Sequence, residues 1–206
     1  MALLGSGFAV ALALCVMFGF QWHRAEQRYI LQRDEILSSF DSQLQILVNC
    51  PSLLDENGAL DGQRARRIIG AAERVYNQCN NVSAMAGQEN GWEYILATGS
   101  NSLADFLNFY SRSVDAFFEA GETSSSPLEG HSLQLAERLD EAMTRFCAVV
   151  RQSYDERGYG PHSVGDGSLF SFYNENLIPA LRQSIWENEE FAKRMEEISS
   201  LIAQGE

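Results

Sequence analysis

The chain has 206 residues, 45% of them hydrophobic and 21% charged, and its 28 acids against 15 bases leave a net charge of −13. That length suits one domain of about 100–200 residues with an appendage and leaves little room for two. Four prolines, 16 glycines and an aromatic set of 12 Phe, 7 Tyr and 3 Trp exclude a collagen-like, proline-rich or globally disordered chain, and the acidic balance argues against a nucleic-acid partner, which needs a basic surface.

Residues 1–22 contain no Asp, Glu, Lys, Arg or His. From Ala2 to Trp22 the run is about 31 Å long as a helix, the thickness of a bilayer's hydrocarbon. Trp22 stands where an interfacial aromatic belongs, followed by His23 and Arg24. A cleaved signal peptide fits less well, since no base precedes the apolar run and no small-x-small site follows it. The run therefore predicts a single uncleaved transmembrane anchor over 1–22 and a soluble helical domain over 23–206. Gly5, Ala9 and Ala13 share one face of that helix, a spacing that lets two helices approach closely in lipid. Orientation is left open. Arg24, Arg28 and Arg33 favour a cytoplasmic carboxyl side, whereas many single-anchor proteins hold their domain outside the cytoplasm, and the reading leans outward on that ground.

Past the anchor the apolar spacing is helical. Tyr29, Ile36, Phe40, Leu44, Leu47 and Val48 form one stripe, stopped at Cys50-Pro51, and Asp55-Glu56-Asn57-Gly58 is turn chemistry. The clearest helix carries Ala65, Ile68, Ala72, Val75, Cys79, Val82 and Ala86, three and four apart, and ends at Gly87 and Gly91. A short apolar patch, Trp92 to Leu96, then precedes a loop at Gly99. A third helix is expected to open at Ser102, with Asp105 at a capping-box spacing, and to present Leu103, Phe106, Leu107, Tyr110, Val114, Phe117 and Phe118. Ser126-Pro127-Leu128-Glu129 starts a fourth helix, running through Leu135, Leu139, Met143, Phe146 and Val150 to Gly158. A final helix is expected from about Phe172 to Ala203, with Pro179 tolerated in its first turns and otherwise kinking it. The fold class is all-α: an N-terminal transmembrane helix followed by an antiparallel four- to five-helix bundle.

The chemistry-bearing residues are sparse. No pair of the three histidines has metal-ligand spacing, and Cys15, Cys50, Cys79 and Cys147 contain no Cys-x-x-Cys; no metal and no cofactor is expected. Cys50 and Cys79 are a candidate disulfide, set against the reading that both are free, small core residues. The glycine-rich loop over 158–167 gathers His162, Ser163 and Asp166, the ingredients of acid–base or nucleophilic chemistry, against the plainer reading of an inter-helix connection. Arg64, Arg67 and Arg74, with Arg66 nearby, make the one basic patch. They are candidates to touch lipid headgroups or an acidic partner, or else to pair internally with Glu187, Glu189, Glu190, Glu196 and Glu197 of the last helix. Lys193 is the only lysine. The aromatic stripe over 106–118 reads as core before it reads as a ligand box.

Together these features predict a single-pass membrane protein. Its bundle acts as a protein-interaction, scaffold or accessory-subunit module, with the bilayer and a protein or second copy as partners. A ligand-binding, sensor-like bundle is the alternative, and a hydrolase using the 158–167 loop stands behind it.

Overall fold

The computed structural model describes residues 2–50, 52–55, 57–86, 92–119, 128–157 and 168–205; of these, side chains are described except at 2–13, 86, 92–95, 117–119, 157 and 205. Among the described residues the fold is all-α, and its single β-type pairing is an isolated bridge between Leu54 and Leu60. The helices are α1 (Ala2–Val48), α2 (Gly62–Ala86), α3 (Trp92–Glu119), α4 (Gly130–Arg157), α5 (Ser168–Phe172), α6 (Ile178–Leu181) and α7 (Glu189–Gly205). Two π-helical turns, Tyr173–Leu177 and Arg182–Trp186, flank α6.

Helix α1 is one unbroken rod of 47 residues, roughly 70 Å long. Nothing between Trp22 and Tyr29 breaks a helix, so the two halves share one axis. Only the second half packs: Leu37, Phe40, Leu44, Leu47 and Val48 are buried. Beyond Cys50, the Asp55 carboxylate accepts the Asn57 and Ala59 N–H groups at 2.8 and 2.9 Å, and Gly58 takes φ +75°. That closes the turn expected at this place. Asp61 then caps α2 through the Gln63 and Arg64 N–H groups, at 2.9 and 3.0 Å.

The direction of each helix follows from its contacts. Arg74 of α2 meets Gln43 of α1, and Ile68 lies beside Leu47 and Cys50, so α2 runs back along α1. Tyr154 meets Asp41 while Asp140 meets Leu53, so α4 is also antiparallel to α1. Phe170 and Tyr173 sit against Arg33 and Phe40, so the last segment returns parallel to α1. The core is the shared interior of these helices. The apolar positions of α2 from Ala65 to Val82 are all buried within it, as their spacing predicts.

Two helix starts differ from expectation. Gly99 lies inside α3, which starts at Trp92 rather than Ser102. A β-carbon at Gly99 would come within 2.3 Å of Ile178 Cγ2, so the glycine serves close packing, not a turn. Ser102 is no cap; its hydroxyl donates back to the Thr98 carbonyl at 3.1 Å. Helix α4 begins at Gly130, because the Leu128 N–H is donated to Gly58 and Gly130 itself takes φ +57°; Ser126 and Pro127 lie outside the described residues.

The last helix is not continuous either. Pro179 carries no N–H, so the carbonyl one turn back loses its partner, and the ladder shifts to wider turns on both sides. At Glu187 the helix ends, and Asn188 restarts it by accepting the Phe191 N–H at 3.0 Å. Among the described residues no helix is long and apolar enough to cross a membrane. The side chains of residues 2–13, more than half of the expected anchor, lie outside that description.

Candidate functional site

The first feature built by this fold is the free half of α1. Leu14, Val16, Met17, Phe18, Phe20 and Trp22 are 44% to 76% exposed, and every described residue from 14 to 28 is exposed. Six large apolar side chains thus stand around one rod with no other described helix packed over them. Arg24 folds back over the Phe20 ring, 4.5 Å from its centroid, at the polar end of this arm. Gly5, Ala9 and Ala13 lie on the same helix, with side chains outside the described residues.

The second feature is the basic face of α2. Arg64 is taken up by its own helix start: it pairs with Asp61 at 3.0 Å and donates to the Leu54 carbonyl at 3.3 Å. Arg74 donates to the neutral amide oxygen of Gln43 at 2.9 Å, and Arg67 is exposed beside Cys50. Among the described residues neither Arg66, Arg67 nor Arg74 has a carboxylate partner. The internal pairing expected with the last helix does not occur. Three of those acids meet other bases: Glu197 meets Arg138 at 3.6 Å, Glu190 meets Arg145 and Arg194 at 3.5 and 3.7 Å, and Glu187 meets Arg182 at 2.5 Å. These pairs face solvent, which screens them, and they add little to stability.

The third feature escaped the sequence reading. Tyr154 and Tyr173 both donate to Asp41 Oδ1, at 2.5 and 2.6 Å, and Gln45 donates to Oδ2 at 2.7 Å. The two hydroxyl oxygens stand 3.1 Å apart, at hydrogen-bond distance, and either can be the donor. Burial first, then the neighbouring Tyr154 and Asp41, holds the Tyr173 phenol well above its ordinary value. Phe40 and Phe172 enclose it edge-on, with centroids 5.1 and 5.3 Å away. Asp41, Tyr154 and Tyr173 are all buried, so the trio has no face toward a substrate. What it does is fix the register of α1 against α4 and the first π turn. A signal for it exists in the sequence: Asp34, Leu37, Asp41, Leu44 and Val48 alternate three and four apart, which puts two acids on an apolar seam.

The remaining candidates resolve as follows. His162, Ser163 and Asp166 lie outside the described residues; the chain leaves α4 at Arg157 and re-enters helix at Ser168. Of the aromatic stripe of α3, Phe106 and Tyr110 are core and Phe109 is partly buried, with Phe106 packed on Tyr110, Phe146 and Phe191 at 6.4, 5.4 and 5.9 Å; the side chains of Phe117 and Phe118 lie outside the described residues. All four cysteines are free. Cys79 sits eleven residues along α2 from Ile68, the neighbour of Cys50, which is roughly 16 Å of rise. That separation rules out a Cys50–Cys79 bridge and agrees with the reading of both as free cysteines. Neither a protein-family model, nor a curated protein, nor a solved structure matches the chain.

Proposed function

We propose that this chain is a single-pass membrane protein whose first 22 residues are the anchor and whose helical bundle is a protein-interaction module, a scaffold or accessory subunit. The observation that carries the reading is the bare apolar half of α1. Each of its large side chains gains about 1.5–3 kcal/mol on leaving water, and exposed apolar surface of this extent calls for lipid or a partner. The uncharged run continues from this arm to the start of the sequence, and the summed length suits a bilayer. Because α1 is unbroken, the anchor and the bundle move as one body, with Trp22 at the interface and Arg24 and Arg28 just beyond it.

The basic face then falls far from the bilayer. Gln43, the partner of Arg74, is 21 residues past Trp22, roughly 32 Å along the rod. Surface charges are screened over about 8 Å in physiological salt, so headgroups of the same membrane are out of reach and Arg66, Arg67 and Arg74 address a protein. Gly5, Ala9 and Ala13 offer a second contact, helix to helix within lipid.

Two measurements test the reading. Mixed with phosphatidylcholine vesicles, the full chain floats with the lipid and the Leu14→Asp/Phe18→Asp variant does not; a full chain left at the bottom of the gradient refutes the anchor. A photoreactive residue at position 67 or 74, activated in native membranes, captures a protein. Recovery of lipid adducts alone contradicts the assignment of that face.

A further inference from the structure

The end of α1 lies along one face of α4, held at both ends of a short stretch. Arg151 donates to the Val48 carbonyl at one end. At the other, Asp140 accepts the Ser52 hydroxyl at 2.7 Å and the Leu53 N–H at 2.8 Å. Asp140, Thr144, Cys147 and Arg151 are three or four residues apart, so they form a single row on α4. The eleven residues from Asp140 to Arg151 rise roughly 16 Å as helix. Between these two attachment points lie Cys50 on the one strand of chain and Cys147 in the row on α4. Both cysteines line one cavity of about 200 Å³, together with Ser52, Asp140, Thr144 and Arg151.

We propose that Cys50 and Cys147 are a latent disulfide pair, a modification site that bolts the end of the first helix to the fourth. The two thiols are unequal. Cys147 is buried, and its burial pushes the thiol up to about 12, with Arg151 opposing. Cys50 is half-buried, and Arg67 and Arg74 pull against the rise that its burial causes. Cys50 is therefore the thiol that meets the oxidant, a small-molecule disulfide such as oxidised glutathione. Its sulfur attacks one sulfur of that disulfide, the S–S bond breaks, and the departing thiolate takes up the Cys50 proton. The Cys147 sulfur then attacks the Cys50 sulfur, and the second small thiol leaves with the Cys147 proton. Two protein thiols are oxidised and one small disulfide is reduced to two thiols. Nothing in this step requires the chain to be anchored.

The test uses the full chain carrying Cys15→Ser, which removes the exposed thiol that would otherwise join two molecules, in mild detergent. After equilibration with oxidised glutathione, remaining thiols are blocked and the unreduced protein is digested and weighed. Cys50 and Cys147 are expected in one linked peptide pair, with the protein 2 Da lighter and Cys79 recovered as a blocked free thiol. The oxidised form melts roughly 5–10 °C above the reduced form. Cys50→Ser and Cys147→Ser each abolish the link and the shift, whereas Cys79→Ser keeps both. Recovery of Cys50 and Cys147 as free thiols or as stable mixed disulfides overturns the proposal, as does a link from either to Cys79. Should Cys147→Ser fail to fold, the peptide map of the parent chain decides alone.

Discussion

The two halves of one helix, α1, differ in sequence and in what covers them. From Tyr29 to Val48 the rod is amphipathic: Leu37, Phe40, Leu44 and Leu47 are sealed in the core while Glu35, Ser42 and Gln45 stay at or near the surface. From Leu14 to Trp22 it is uncharged, apolar around most of its circumference apart from Gln21, and covers nothing. An amphipathic stripe is the answer to a core on one side and water on the other; an apolar cylinder is the answer to a uniform apolar medium. The second half builds the fold, and the first half answers to surroundings that the bundle does not supply.

The same substitution in the two halves should break this contrast if it is wrong. Phe40→Ala is expected to cost about 3–5 kcal/mol of unfolding free energy by urea titration, because a sealed ring packed on Tyr173 leaves a cavity. Phe18→Ala should stay within about 0.5 kcal/mol, since that ring touches no part of the core. Next in size is the polar seam of the packed half. Tyr173→Phe removes one of the two phenol hydrogens on Asp41, and a loss of about 1.5–3 kcal/mol is expected in the same titration. A Tyr173→Phe protein as stable as the parent would mean that the trio does not set the register.

Glycines give a matched pair as well. Gly99→Ala puts a methyl group onto Ile178 and should cost about 1–3 kcal/mol, partly recovered by shortening the neighbour with Ile178→Val. Gly19→Ala meets nothing within 4 Å and should cost none. A further expected effect is a slope with pH. In the unfolded chain the thiols ionise near 9, while Cys79 and Cys147, held neutral by burial, do so at about 12. The folded state therefore keeps protons that the unfolded state releases. Stability is unaffected below pH 9 and falls as pH rises from 9 toward 12, by about 1.4 kcal/mol per pH unit for each thiol. Tyr173 adds to the fall above pH 10, again because its raised phenol keeps its proton in the fold. Cys79→Ala should flatten that slope by one thiol's share, read from urea titrations at several pH values.

Much of this architecture was legible in the sequence, for reasons that also explain the failures. The stripe of α2 and the turn at Asp55 depend on residues within one or two turns of each other, and local spacing reports them. Gly99 was misread because a glycine needed for close approach looks the same as one needed for a turn until Ile178, 79 positions away, is beside it. The break at Asn188 and the π turns around Pro179 follow from which carbonyls find partners, a tertiary matter. Asp41, Tyr154 and Tyr173 come together from three separate helical segments, so spacing alone shows only the acid in the seam. Spacing could raise a Cys50–Cys79 bridge but not judge it, because pairing depends on which helices touch at which height, and it is Cys147 of α4 that shares a cavity with Cys50.

The most direct test is the depth of Trp22. In the full chain carrying Trp92→Phe and Trp186→Phe, Trp22 is the only tryptophan. Reconstituted into vesicles whose lipids carry bromine at defined depths, its fluorescence should be quenched most strongly by bromines nearest the headgroups. Emission unchanged by any brominated lipid would show that the bare half of α1 never meets a bilayer.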